Sequence, residues 1–170
     1  MNIKDYMLKI GSEAKNASFT TASSTTSQKN QFLNNLAHRI LDNKDSITAH
    51  NKKDLIQAAK DNQDDAFIDR LTLNEKNIIG MADGLFQLEK LDDPIGQISN
   101  QKTMRSGIKV SQMRVSLGVI GMIYESRPNV TVDAAGLSIK SGNAIILRGG
   151  SEAINSNTYL GELITQSLKE

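Results

Sequence analysis

The chain has 170 residues and a nearly balanced charge, with 20 lysines and arginines against 19 aspartates and glutamates. This length suffices for one good hydrophobic core or two small ones. A net charge of +1 provides no general field to attract nucleic acid or an anionic membrane. With three tyrosines, four phenylalanines and no tryptophan, the chain has no basic run with interleaved rings on which bases would stack. We therefore expect no nucleic-acid partner, and a small anionic ligand would need a local site.

The N-terminal segment 1–10 carries charges within its first turns and no continuous apolar stretch, which argues against a signal peptide. No segment of the sequence reaches the ~18 consecutive apolar residues that a membrane span needs. We therefore expect a soluble, cytoplasmic protein with no membrane partner.

Metal-binding residues are scarce, since the chain contains no cysteine and only two histidines, His38 and His50. The absence of cysteine excludes a disulfide framework and a thiolate metal site. Both histidines lie among amphipathic helical residues, where a position on a helix face is the simpler interpretation. The acidic segment 61–65 lacks the spacing and the distal glutamate of a calcium loop, and it is predicted to be a solvated turn. No metal is expected.

Helical periodicity dominates the first half of the chain. Apolar residues recur at helical spacing over 32–41 and again over 78–86, which predicts two core-facing helices. The segment Thr72-Leu-Asn-Glu75 has the form of a capping box before the second of them. The short polar residues 18–27 predict a connection between helices, with Ser27 as a candidate N-cap, and a low-complexity linker is the alternative.

Strand patterns follow in the second half, where nine of the 12 glycines lie after residue 90. Residues 108–115 predict a strand with one exposed face, and the apolar residues 117–124 predict a parallel strand covered on both sides. A helix over 131–141 and a second buried strand over 144–147 complete a crossover unit of about 30 residues. The helix has Asp133 near its start, a lysine near its end and a glycine just beyond, as the helix dipole and a left-handed C-cap favour.

A last helix carries an apolar stripe of Leu160, Leu163, Ile164 and Leu168. Two parallel strands are fewer than a stable covered sheet normally requires, and the last helix would expose its inner stripe. The pattern therefore predicts that a third strand is missing from this chain.

The loop after the first buried strand, Glu125 to Asn129, is one candidate site. Pro128 fixes its own φ and restrains Arg127, so Asn129 is presented on a stiff support at the mouth of a helix. A stiffly held side-chain amide can donate a hydrogen bond to a developing oxyanion. The alternative is that Asn129 or Thr131 caps the helix.

The turn after the second strand, Arg148 to Glu152, is the other candidate site. Its two glycines would let a ligand approach the backbone, the next helix would present unpaired amides, and the Arg148 guanidinium can hold a phosphate or a ribose. The turn matches neither G-x-G-x-x-G nor G-x-x-x-x-G-K-[ST], so an ordinary glycine turn remains the alternative.

Both candidate sites lie in a segment that resembles a known family. Tyr124 to Asp133 and Lys140 to Gly150, together with Arg105-Ser-Gly107 and Leu71-Thr-Leu73, resemble the N-terminal part of the gamma-glutamyl phosphate reductase family. This family is the glutamate-5-semialdehyde dehydrogenase branch of the aldehyde dehydrogenase superfamily. The resemblance covers essentially the whole chain and is densest between Arg105 and Asn157.

The resemblance implies a role for each residue of the two loops. Asn129 matches the asparagine that stabilises the thiohemiacetal or acyl oxyanion. The resemblance implies cofactor binding for the remaining residues, Glu125, Ser126, Arg127, Pro128, Arg148, Gly149, Gly150 and Ser151. Because Ser151 lies where NAD-preferring relatives often carry glutamate, NADPH/NADP is the expected cofactor. The neighbouring Glu152 argues against it, since an inward-turned carboxylate would repel a 2′-phosphate.

The activity implied by the resemblance is NADPH-dependent reduction of L-glutamyl 5-phosphate to L-glutamate 5-semialdehyde and phosphate in proline biosynthesis. The family's attacking cysteine lies beyond residue 170, so we expect an N-terminal fragment that is inactive alone and forms a homo-oligomer when full length. The alternative is a non-catalytic nucleotide-binding or interaction module derived from the same fold.

The implied fold class is α/β and aldehyde-dehydrogenase-like, with N-terminal helices followed by the first strands and helices of an incomplete Rossmann-like parallel sheet. Residues 1–98 are expected to form the helical segment of the cofactor domain, and residues 99–117 a strand or hairpin excursion towards the oligomerisation region. Residues 118–170 are expected to begin the Rossmann-like NADP-binding core.

Overall fold

The structure is a computed structural model that describes residues 2–170. The first half contains helices without strands, and the second half combines a hairpin with a strand-helix-strand-helix segment. In chain order they are α1 (Ile3–Ser23), α2 (Thr26–Asp42), α3 (Lys44–Lys60), α4 (Asp65–Leu71), α5 (Glu75–Lys90), β1 (Ile98–Thr103), β2 (Lys109–Met113), β3 (Val119–Ile123), α6 (Asn129–Lys140), β4 (Ala144–Arg148) and α7 (Ile154–Ser167), with a 3₁₀ turn at Ser151–Ala153 before α7.

The hydrophobic core lies between α2, α5, α6 and α7. Leu33 and Leu36 of α2, Ile78 of α5, Val132 of α6 and Leu160 of α7 are fully buried there. Side chains four residues apart share one helix face, so a single apolar stripe from each helix is enough to build this core. The two core-facing helices predicted over 32–41 and 78–86 are therefore confirmed.

The predicted connection over 18–27 is wrong for most of that segment. The first helix continues to Ser23 and the second begins at Thr26, so only two residues separate them. The hydroxyls of Ser18 and Thr21 donate to carbonyl oxygens three or four residues earlier, which accommodates short polar side chains within the helix.

Both predicted helix starts are displaced by a few residues. Thr25 caps α2, while Ser27 lies inside that helix. Asn74 and Asn77 form the capping box of α5, and Thr72 instead follows the end of α4. Asparagine caps a helix as well as threonine does, so Thr72 and Asn74 were equally good candidates for the N-cap of this helix.

The two ends of α6 agree only in part with the sequence prediction. The helix begins at Asn129, so Asp133 lies in its second turn and not in its first, as had been expected. At the other end, Lys140 lies in the last turn and Gly142 follows with a φ of +69°, in agreement with the predicted C-cap.

The two strands β3 and β4 pair in parallel, with α6 as the connection between them. The predicted strand-helix-strand unit is thus confirmed. The prediction that the first strand is covered on both sides is wrong for the described residues, since Ile123 is 81% exposed. Within residues 2–170 no strand other than β4 pairs with β3, and the apolar side chains of β3 are partly open to solvent.

An antiparallel hairpin of β1 and β2 lies between the helical segment and the parallel sheet. Every residue of both strands is exposed, so the expectation of only one exposed face over 108–115 is wrong. The cause is that no other element of the described chain covers either face of this hairpin. Among residues 2–170, no helix combines the length and the apolar content that crossing a membrane requires.

Candidate active site at the carboxyl edge of the sheet

The two candidate loops leave the sheet side by side. In the parallel register Ile123 lies opposite Arg148, and the Tyr124 N–H donates to the Arg148 carbonyl oxygen at 3.1 Å. Because the carboxyl ends of parallel strands share one edge, the Glu125–Asn129 loop and the Arg148–Glu152 turn meet there. The predicted placement of both segments at a common edge is confirmed.

A carboxylate ties these two loops together. Glu152 Oε1 accepts a hydrogen bond from the Ser126 backbone N–H at 2.7 Å. Ser126 is 5% exposed and has a φ of +50°, a left-handed conformation that a serine adopts only with support. The Glu152 side chain therefore turns inward, and its charge serves to hold the Ser126 loop against the Arg148 turn.

A second cross-link lies beneath the glycine turn. Thr131 Oγ1 donates to Asn157 Oδ1 at 3.0 Å and lies 2.6 Å from the Tyr124 hydroxyl. Burial raises the pKa of the Tyr124 hydroxyl, although its bond to Thr131 works in the opposite direction, so the phenol stays protonated at neutral pH. A Cβ on Gly149 would overlap the Asn157 amide, so a larger residue at this position would displace that side chain.

Asn129 is the first residue of α6 and is partly buried. Its Nδ2 atom donates to Asp133 Oδ2, one turn further along the helix, at 3.1 Å. The capping alternative is wrong for both candidates. No side chain caps this helix at Pro128, and the Thr131 hydroxyl bonds other side chains.

Asp133 is a half-buried carboxyl group beside this amide. Burial raises the pKa of Asp133, and the hydrogen bond from Asn129 only partly opposes that shift. The pair could have been noticed in the sequence, because residues four apart on a helix are neighbours.

The N-terminus of α7 contradicts one expectation about the glycine turn. We expected its amides to be unpaired and available to a phosphate, but the buried carboxylate of Asp54 occupies them. Asp54 accepts from the Asn155 N–H at 3.1 Å and from the Ser156 N–H at 2.8 Å, and both side chains donate to it as well. A phosphate at this edge therefore cannot use these two amides of α7.

The exposed groups of the site are few. Glu125, Arg127, Arg148 and Ser151 expose their side chains at the edge, whereas Ser126, Pro128 and Gly150 are buried and shape the loops from within. Gly149 and Asn129 lie between these extremes. The edge thus offers two guanidinium groups, a carboxylate, a hydroxyl and an amide to a ligand.

The two histidines lie away from this edge. His38 is exposed on α2, where its Nδ1 lies 2.9 Å from the Asn34 carbonyl oxygen, and His50 of α3 stacks on Tyr159 with ring centroids 4.3 Å apart. Both are helix-face residues, as predicted. Within residues 2–170, no three histidine, aspartate or glutamate side chains cluster as metal ligands.

Comparisons with known proteins show which proteins this chain is similar to. No protein-family model matches the chain. Over 168 residues it is 49% identical to the gamma-glutamyl phosphate reductase of Clostridium botulinum, an alignment that covers 99% of this chain and 40% of the relative. The chain is similar to gamma-glutamyl phosphate reductase. The resemblance first seen in the loop motifs is therefore confirmed over the whole chain.

Solved structures show the same likeness in three dimensions. The crystal structure of gamma-glutamyl phosphate reductase from Thermotoga maritima superposes with a TM-score of 0.91 at 35% identity, covering 95% of this chain and 39% of that one. A probable aldehyde dehydrogenase from Listeria monocytogenes superposes with a TM-score of 0.66 at 15% identity, covering 92% of this chain and 32% of that one. The second likeness concerns the fold alone and confirms the aldehyde-dehydrogenase-like α/β class.

The aligned share differs between this chain and its relatives. Nearly all of this chain is aligned, but the chain spans about two fifths of the gamma-glutamyl phosphate reductases that it matches. The residues described above therefore correspond to one part of such an enzyme.

Proposed function

We propose that this chain is the N-terminal part of a gamma-glutamyl phosphate reductase, which reduces L-glutamyl 5-phosphate to L-glutamate 5-semialdehyde with release of phosphate in proline biosynthesis. The observation that carries the proposal is the meeting of the Asn129 loop and the Arg148 turn at one sheet edge, in a chain 49% identical to such an enzyme. The attacking cysteine must come from residues outside this chain, because these 170 residues contain none.

Asn129 is the residue of this chain to which we assign a catalytic role. Its amide has two N–H groups, of which one is bound to Asp133 and the other can donate to the acyl oxygen of the substrate. That oxygen gains negative charge when a thiolate adds to the carbonyl carbon, and a donor held in place beforehand stabilises this charge most effectively. The rigid support comes from buried Pro128 and from the first turn of α6.

We assign nicotinamide-cofactor binding to the exposed side of the two loops. The arrangement fits such a group, since Arg148 and Ser151 expose a guanidinium and a hydroxyl on either side of the two glycines. When bound, the cofactor supplies the hydride that reduces the acyl group to the aldehyde. Because the amides of α7 are already bound to Asp54, contact with the adenosine ribose or its 2′-phosphate falls to the side chains of the turn.

We further propose that the preferred cofactor is NADPH. Ser151 places no charge against a 2′-phosphate, and Arg148 lies three residues away with its side chain exposed. The inward carboxylate of Glu152 is the opposing feature, but it is bonded to the Ser126 N–H, which offsets part of its charge.

The wider setting is proposed on the same basis. The full-length protein is expected to act in the cytoplasm on a small-molecule substrate, without nucleic-acid or membrane partners, and to assemble as a homo-oligomer. The fully exposed β1–β2 hairpin is the element of this chain best placed to contact another subunit.

The decisive experiment replaces the proposed oxyanion donor. In the full-length protein, Asn129→Ala is expected to lower kcat by on the order of 10²-fold, because one preorganised donor to the oxyanion is lost. Steady-state reduction of L-glutamyl 5-phosphate measures this effect. Thermal unfolding of the variant is the control, and an unchanged kcat in a folded variant would remove the catalytic role from Asn129.

A further inference from the structure

Asp133 is a half-buried carboxyl group whose position the packing of α6 does not explain. It lies in the second turn of the helix, half-buried, and within residues 2–170 its carboxylate accepts a single hydrogen bond, from Asn129 Nδ2 at 3.1 Å. No lysine or arginine of the described chain forms an ion pair with it, in contrast to the buried partners Lys29 and Asp93. A carboxyl group in such a place lowers the stability of the fold unless something compensates for its lost hydration.

The cost of this burial is visible in the ionisation of the group. Burial raises the pKa of Asp133, and the bond from Asn129 recovers only part of the loss. Its neighbours along the helix, Val132, Ala134 and Ala135, are apolar and buried. The residue therefore has a cost to folding for which the packing of α6 supplies no reason.

The chemistry of Asn129, the hydrogen-bond partner of Asp133, supplies a reason for the carboxylate. An asparagine side chain can turn over about its last bond, which exchanges the amide nitrogen and the carbonyl oxygen with little change in shape. A carboxylate only accepts hydrogen bonds, so it binds the Asn129 amide in the orientation that turns nitrogen towards Asp133 and repels the opposite one. With the nitrogen fixed, the second N–H remains available as a donor.

We propose that Asp133 is a positioning residue that fixes the side-chain amide of Asn129 as a hydrogen-bond donor towards the reacting acyl oxygen. This inference rests on the proposed function of Asn129. Without the carboxylate, the amide also populates the reversed orientation, in which a carbonyl oxygen instead of an N–H faces the growing negative charge. Asp133 itself need not touch the substrate.

The test is a double-mutant cycle in the full-length protein. Asp133→Ala is expected to lower kcat roughly tenfold with little change in KM, since a loosened catalytic group costs less than a deleted one. In the Asn129→Ala background the same replacement is expected to have no further effect, because the group that it positions is gone. Asp133→Asn keeps the shape of the side chain but offers a donor as readily as an acceptor, so it should lower kcat to a similar extent and fail to restore the wild-type rate.

Two controls separate positioning from damage to the fold. Asp83→Ala changes an exposed aspartate of α5 and should leave kcat unchanged. Thermal unfolding of Asp133→Ala should show no loss of stability, since a costly buried charge has been removed.

The possible outcomes distinguish the inference from the function on which it rests. A tenfold loss of kcat on Asp133→Ala in the wild-type background, with no further loss in the Asn129→Ala background, supports positioning. Two results would overturn the positioning role but leave the role of Asn129 intact. One is an equal loss of kcat on Asp133→Ala in both backgrounds. The other is an unchanged kcat for Asp133→Ala when Asn129→Ala lowers kcat as expected. An unchanged kcat for Asn129→Ala overturns both.

Discussion

At the scale of single residues, the sheet edge depends on side chains that bind one another as much as on those that face a ligand. Glu152 holds Ser126 in a left-handed conformation, and Asn157 packs directly against Gly149. These contacts leave Arg148 and Ser151 exposed beside a turn whose backbone is fixed. If a ligand binds at this edge as proposed, Arg148 and Ser151 are two of the exposed side chains it would meet.

The cofactor preference can be tested at Arg148. We expect the full-length protein to bind NADPH more tightly than NADH, and Arg148→Ala to reduce that preference by roughly tenfold, since one charge-assisted contact to the 2′-phosphate is lost. Equilibrium titration with each nucleotide measures both affinities.

The matched control for this titration is Arg105→Ala, which removes an exposed arginine near the hairpin turn. It should leave the ratio of the two affinities unchanged. Equal affinity for NADPH and NADH in the wild type, or a ratio unaffected by Arg148→Ala, would show that Arg148 does not read the 2′-phosphate.

At the scale of elements, a buried lysine joins α2 to the segment that follows α5. Lys29 of α2 donates to both oxygens of Asp93, at 2.9 and 3.1 Å, and its side chain is 1% exposed. The Asp93 carboxylate also accepts from the Thr26 hydroxyl and from the Ile95 N–H. Because the cation is fully desolvated, loss of its partner should cost far more than loss of a surface ion pair.

This ion pair leads to a stability prediction for the chain. Asp93→Ala should lower the free energy of unfolding by about 3–5 kcal/mol, since it leaves the Lys29 ammonium buried without a counter-ion. Removing the exposed pair between Lys44 and Glu75 by Glu75→Ala should cost no more than about 1 kcal/mol. Urea unfolding of the two variants measures the difference, and similar losses would show that the Lys29 pair contributes no more than a surface one.

The same pair has a definite pH dependence. Burial by itself would raise the pKa of Asp93, but the bonds from Lys29, Ile95 and Thr26 outweigh it, so the pKa lies below its ordinary value of 3.8. A carboxyl group whose pKa is lowered by folding stabilises the protein above the unfolded value and loses that contribution as the pH falls through the folded one. The stability difference between wild type and Asp93→Ala should therefore shrink below about pH 3.8.

At the scale of the whole molecule, the described chain has a main core, a smaller buried cluster between α3, α4 and the 3₁₀ turn, and a hairpin that contributes to neither. The helices α2, α5, α6 and α7 share a single core, whereas the β1–β2 hairpin is exposed along its full length. The hairpin can therefore open without exposing any core residue, while the amides of α2 and α5 exchange only when the core itself is disrupted.

Hydrogen exchange of this chain should reveal that difference. We expect backbone amides of the hairpin to exchange at least ~10²-fold faster than those of α2 and α5 in a dilute sample. Comparison of two protein concentrations is the control, since protection of the hairpin that increases with concentration would indicate contacts between copies. Protection of the hairpin equal to that of α2 in the dilute sample would contradict its independence from the core.

The agreement between sequence and structure follows the range of the interactions involved. The apolar stripes of α2 and α5 and the strand-helix-strand order of β3, α6 and β4 were predictable, because periodicity and turn chemistry are local properties. Helix boundaries were less so, as the extension of α1 to Ser23 and the cap at Asn74 show, because several residues there have similar propensities.

The candidate site divides in the same way. The sequence by itself determined the family resemblance and the placement of the Asn129 loop and the Arg148 turn, because the carboxyl ends of neighbouring parallel strands must share an edge. Tertiary structure alone decided that Asp54 occupies the amides of α7, since these groups are about a hundred residues apart in sequence. It likewise decided that Ile123 of β3 is exposed, because burial depends on which other elements pack against a strand, and a local sequence pattern does not contain that information.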